Sequence, residues 1–106
     1  MKNTMLGLLL SGGMMISAAS AAEMTGWISD SNCGAGNASS QESARTCAER
    51  CIKGGAAPVF VSEGDKKVYK LADSAKVDKH LKGKVKVTGT VKGDTLTITD
   101  IKDAGV

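Results

Sequence analysis

Lys84-Val85-Lys86-Val87-Thr88-Gly89-Thr90-Val91-Lys92-Gly93-Asp94-Thr95-Leu96-Thr97-Ile98-Thr99 alternates apolar with polar side chains on either side of a Lys92-Gly93 turn. Side chains of a strand point alternately to its two faces, so Val85, Val87, Gly89 and Val91, with Leu96 and Ile98, mark one inward face. The lysines and threonines take the other. Two such runs joined by a glycine turn predict a hairpin. Gly89 interrupts the valines in mid-strand, where a glycine suits the bulge or bend that closes a small barrel.

Upstream of this hairpin, Asp73 is a good N-cap, Val77 and Leu81 fall four apart on one face, and Gly83 is placed as a stop. That pattern predicts a short helix. Before it, Pro58-Val59-Phe60-Val61 and Lys67-Val68-Tyr69-Lys70-Leu71 flank Glu63-Gly64-Asp65 and read as a second hairpin. Phe60, Tyr69 and Leu71 have the spacing of inward residues. Further upstream, Ser39 and Glu42 have capping-box spacing, and Ala44, Cys47, Ala48, Cys51 and Ile52 share one helical face until Gly54-Gly55. Both later cysteines are thereby expected on the buried side of a helix. Thr25-Gly26-Trp27-Ile28-Ser29-Asp30 reads as the first strand, ended by Asp30-Ser31-Asn32 with Gly34 and Gly36. The whole is mainly β: five strands, a short helix in the first loop and another between strands three and four. This is the order of an OB-like Greek-key barrel.

The first 22 residues have the features of a signal peptide. Lys2 is a positive n-region, Met5 to Ile16 are a short apolar run broken by Ser11-Gly12-Gly13, and Ser17-Ala18-Ala19-Ser20-Ala21-Ala22 offers small-residue cleavage sites. The run is well short of the ~20 residues of a membrane-spanning helix. Cleavage is expected after Ala22 or Ala21, and no cysteine near it suggests a lipid anchor. Removing 22 of the 106 residues leaves 84, the size of one small domain, residues 23–106. The product is expected in the periplasm or outside the cell.

Gly26-Trp27-Ile28-Ser29-Asp30-Ser31-Asn32-Cys33-Gly34, Cys47-Ala48-Glu49-Arg50-Cys51-Ile52-Lys53-Gly54-Gly55 and the stretch Lys84 to Asp94 together resemble an uncharacterised family of small exported bacterial three-cysteine proteins. The resemblance covers nearly all of the mature chain. It implies export, a single domain and a shared three-cysteine pattern. More distantly, the layout is similar to bacterial OB-fold proteins of the periplasm linked to stress tolerance.

Charge and aromatic content narrow the partners. With Lys2 removed, thirteen basic residues face eleven acidic ones, interleaved along the chain. Trp27, Phe60 and Tyr69 are the only aromatics. A nucleic-acid interface needs a stronger field and more stacking surface, and after cleavage nothing suggests a membrane surface. A small ligand or a protein is the class of partner left, with the oligomeric state open. Trp27 is the candidate ligand-binding residue, because Gly26 and Ile28 take the opposite face of its strand. Phe60 and Tyr69 are expected in the core.

Outside the cytosol thiols tend to be oxidised, so Cys33, Cys47 and Cys51 read first as one structural disulfide and a leftover thiol. Cβ atoms four apart on a helix are ~5–6 Å apart, whereas a disulfide wants ~3.5–4.5 Å. Cys33 is therefore one half of the bridge, with Cys51 or Cys47 as the other. Closing a loop of about 15 residues contributes ~3 kcal/mol in the chain-entropy model. The alternative takes Cys33, Cys47 and Cys51 as thiolate ligands of Zn or Cu(I), with Asp30 or Glu49 completing the site. His80, on a mostly charged segment, is expected as a solvated surface residue. A redox enzyme fits less well, since catalytic dithiols usually sit as Cys-x-x-Cys at a helix N-terminus. The chain has no nucleophile elbow, metalloprotease motif or phosphate loop, so no catalytic residue and no cofactor is expected. Asn37-Ala38-Ser39 matches a glycosylation acceptor only in name outside a eukaryotic secretory pathway.

Overall fold

A computed structural model describes residues 20–105 of the chain. Five strands, β1 (Ser20–Asp30), β2 (Pro58–Ser62), β3 (Val68–Leu71), β4 (Val85–Lys92) and β5 (Thr95–Asp103), close a barrel in the order β1-β2-β3-β5-β4. One helix, α1 (Glu42–Lys53), fills the connection from β1 to β2, after a 3₁₀ turn at Gly34–Asn37. All neighbours are antiparallel except β3 and β5, which pair in parallel through Lys70 with Thr95 and Leu71 with Leu96. The architecture is a five-stranded OB-like Greek-key barrel, as the order of elements predicts.

β1 begins five residues earlier than the alternation from Thr25 suggests. Its first half, from Ser20, lies against β4, its second half against β2, and Gly26 is paired on both sides, with Val85 and with Ser62. A side chain at Gly26 would collide with the Val61 carbonyl, so the strand changes partners where there is no Cβ. The expected leader lies outside the described residues except for Ser20–Ala22, which open β1 opposite Val91, Thr90 and Gly89.

The closing hairpin follows its sequence pattern. Val85, Val87, Leu96 and Ile98 are buried, Lys86, Thr97 and Thr99 exposed, and Val91 half-buried near the barrel rim. The ladder between β4 and β5 shifts register between Thr88 and Gly89, where a Cβ would collide with the Thr97 carbonyl. The extra residue is Thr99 on β5, unpaired between Ile98 and Asp100, so the bulge lies on β5 and Gly89 stands opposite it, where the strands approach too closely for a Cβ. Ile28, Phe60, Tyr69, Val77 and Leu81 complete the interior cluster, with Leu71 and Ile52 partly buried against it.

The segment after β3 departs from expectation. Asp73 caps as its sequence position suggests, its carboxylate accepting from the Ala75 N–H at 3.2 Å, but the turn is 3₁₀ and spans only Ser74–Val77. With Val77 and Leu81 as its only core anchors, one tight turn seats both without a longer helix. His80 is also less free than expected, its Nδ1 lying 3.0 Å from Asp103 Oδ1.

Candidate functional site

The loop from Ser31 to Gln41 and the helix after it carry every cysteine. The loop is held by three buried polar side chains. Asp30, fully buried at the end of β1, accepts from the Cys33 N–H at 3.0 Å and from Asn37 Nδ2 at 2.9 Å. Ser29, also buried, donates to the Gly34 carbonyl at 2.7 Å. Gly34 takes φ +52°, a conformation that suits glycine, and so turns the chain directly after Cys33. Burial alone pushes the Asp30 carboxyl upward, but the hydrogen bonds from Asn37 and the backbone outweigh it and leave its pKa below the ordinary value.

Arg45 is the third. Its Nε donates to Ser39 O at 2.8 Å, Nη1 to Ile28 O at 2.7 Å and Leu81 O at 3.0 Å, and Nη2 to Asn37 O. One guanidinium thereby ties α1 to β1, to the first loop and to the segment before β4. Burial lowers its pKa, with the Asp30 charge opposing the shift, yet arginine stays protonated in such settings. The sequence reading assigned Arg45 no role. The signal available was its place three residues before Ala48 and seven before Ile52, on the side of α1 that faces the barrel.

These pins correct several expectations. Ser39 does not close a capping box; its Oγ accepts from Gln41 N at 3.3 Å while its carbonyl serves Arg45, and Gln41 stands at the N-cap without a side-chain bond. Ala44, Arg45 and Ala48 are the buried residues of α1, leaving Cys47 and Cys51 half-buried. Trp27 does point away from Ile28, but it is not exposed. The first loop folds over it, packing it with Ala38, Val59 and Val61 at 6% exposure. Its Nε1 donates to Ser40 Oγ at 3.0 Å, and the ammoniums of Lys66 and Lys84 lie 4.6 and 5.5 Å from its ring centre. A cation over an indole face suits this arrangement and closes the face to a ligand.

Two of the three thiols approach each other. Cys33 is exposed on the loop, Cys47 and Cys51 lie one turn apart on α1, and one pair of thiols stands 4.2 Å apart without a bond. The Asp30 charge, then burial and the Cys47 thiol, push the Cys33 thiol up; burial, then Asp30, Cys47 and Cys33, push up the Cys51 thiol. Cys47 therefore acts on both of the others. Of the additional metal-ligand candidates, Asp30 joins this cluster, Glu49 turns to Lys53 at 3.7 Å, and His80 pairs with Asp103. Among the described residues no group of three or more His, Cys, Asp and Glu side chains is arranged to hold a metal ion.

On another side of α1 an open, polar cleft of about 340 Å³ runs between the helix and Lys82, lined by Ser40, Glu42, Arg45, Thr46, Glu49 and Lys82. No helix among the described residues is long and apolar enough to cross a membrane. Comparison with family models, curated proteins and solved structures returned no match, so the site is read from its own geometry.

Proposed function

We propose that the chain is an exported, periplasmic or extracellular, non-enzymatic binding or stress-related protein whose barrel is stapled by a disulfide between Cys33 and Cys47. The observation that carries this reading is the convergence of the Cys33 thiol with α1, with Cys47 acting on it directly. A disulfide donor of the oxidising compartment would take the two electrons: the two thiols lose their protons, one S–S bond forms, and the donor's sulfurs leave as two thiols. The bond would fasten the loop over Trp27 to the helix.

The approach of one pair of thiols to 4.2 Å supports the staple over the alternative of a Zn or Cu(I) site built from Cys33, Cys47 and Cys51. The cleft at Glu42, Thr46 and Lys82 offers both charges to a small polar ligand or a protein loop. Expression of the full chain with its leader, followed by fractionation and intact mass under non-reducing conditions, tests the reading. The expected product is exported, lacks the leader, is two mass units light and has one free thiol. Three free thiols with bound metal would replace the staple by the metal site, and retention of the leader inside the cell would overturn the reading.

A further inference from the structure

We propose that closure of the barrel hides the leader-processing site, so that the leader must be cut off before β1 joins β4. The inference rests on the export proposed above and adds the order of its two steps, cleavage and folding. The cleavage sites expected after Ala21 and after Ala22 do not lie in a loop ahead of the domain. They lie inside β1, where Ala21 stands opposite Thr90, Ala22 opposite Gly89 and Glu23 opposite Thr88, with Ser20 before them opposite Val91. The ladder continues without a break through Met24, Thr25 and Gly26, which stand opposite Val87, Lys86 and Val85. The cut itself is a hydrolysis: water adds across the Ala22–Glu23 bond, or the Ala21–Ala22 bond, leaving a carboxyl group on the leader and an amino group on the domain. A peptidase takes its substrate as an extended strand and supplies the main-chain partners itself, as in other strand-addition complexes. A peptide bond already held in a ladder has first to come out of it.

The length of β1 that has to open sets the degree of protection. A strand end frays at little cost, so the pairing of Ser20 alone would protect nothing. Binding of residues on both sides of the cut needs the chain free past Glu23, and there the anchors begin. Met24 packs against the interior cluster of the barrel, and Glu23 Oε2 lies 3.4 Å from Lys86 Nζ on β4. The ion pair is exposed and contributes little, so Met24 is the residue that resists opening. The uncut chain is also the more fully paired one. Cutting after Ala22 removes the β1 partners of Gly89, Thr90 and Val91 and leaves that ladder running only from Glu23 to Gly26. A precursor that folds first is therefore a stable product and stays uncut.

The test uses the full chain with its leader and a purified leader peptidase in detergent micelles. The precursor is diluted out of denaturant, peptidase is added at once or after increasing delays, and the cut product is measured by mass. Trp27, the sole tryptophan, is buried under the first loop, so its fluorescence follows closure of the fold. Cleavage is expected to be fastest at zero delay and to slow by about tenfold or more as the fluorescence change completes, because opening then has to precede cutting. Met24→Ala is expected to be cut at the wild-type rate at zero delay and faster than wild type once folded. A folded Met24→Ala precursor as resistant as wild type would contradict the part given to Met24. Cleavage of the folded wild type at the rate of the freshly diluted chain would overturn the order and leave the leader standing. No cut at zero delay would overturn both. The wild-type delay series decides the matter even if Met24→Ala fails to fold.

Discussion

Arg45 donates through Nη1 to the carbonyl of Ile28, 2.7 Å away and seventeen residues earlier in the chain. Ile28 is wholly buried in the barrel, so the contact fixes α1 to the strand that carries the core. The same nitrogen reaches Leu81 O at 3.0 Å, in the segment before β4. Removing a guanidinium that satisfies several buried carbonyls leaves each of them without a partner, at about 1–3 kcal/mol apiece. Arg45→Met is expected to lower stability by about 3 kcal/mol or more. Arg45→Lys should recover little, since a single ammonium cannot reproduce the planar fork. Denaturant unfolding of the two variants checks this, and near wild-type stability for Arg45→Lys would contradict the role given to the fork.

Asp30 provides a pH test. Its folded pKa is depressed below the ordinary value of 3.8, so the ionised carboxylate stabilises the fold above that value. The contribution is lost as the pH falls through the lower, folded pKa. Asp30→Asn turns an amide donor toward the Cys33 N–H or Asn37 Nδ2, both donors themselves. The variant is expected to be less stable at neutral pH and to lose stability less steeply between about pH 5 and pH 2. Thermal melts across that range decide it.

Gly89 and Gly64 make a matched pair. A Cβ at Gly89 meets the Thr97 carbonyl within the β4–β5 ladder, while at Gly64 nothing lies within 4 Å. Gly89→Ala is expected to cost about 1–3 kcal/mol or more through forced backbone movement. Gly64→Ala should stay within about 0.5 kcal/mol of wild type. Equal melting temperatures for the two would mean that the close approach of β5 to Gly89 is not needed to close the barrel.

The legible parts of this chain were those set by local pattern. Alternation placed Val85, Val87, Leu96 and Ile98 inward, and the lone mid-strand glycine marked the place of the irregularity, although the bulged residue is Thr99 on the facing strand. What was not legible depended on segments distant in the chain. Trp27 occupies the face its strand position implies, yet its burial comes from Ala38 and Ser40, ten or more residues later, folding over it. Arg45 looked like any helical charge, because its acceptors are carbonyls of Ile28, Asn37, Ser39 and Leu81, and main-chain acceptors leave no mark in sequence. A close approach of two thiols was foreseeable from spacing, but the loop path that produces it was not.

The buried position of Trp27 bears on nucleic acid. With that ring covered by Lys66 and Lys84, and with nearly balanced charge, no platform for stacking a base is left at it. Single-stranded oligonucleotides are expected to bind no better than the non-specific range of about 10⁻⁴–10⁻⁶ M at physiological salt. A fluorescence titration measures this, and saturable nanomolar binding lost in Trp27→Ala would contradict it.

The staple is the central claim, and unfolding with and without reductant tests it most directly. The oxidised mature protein should be more stable than the reduced protein by about 3 kcal/mol, the value for closing a loop of about 15 residues. Cys33→Ser should match the reduced protein and lose the response to reductant. If reductant leaves the unfolding midpoint of the wild type unchanged, or if a chelator lowers it instead, the three cysteines do not staple this fold.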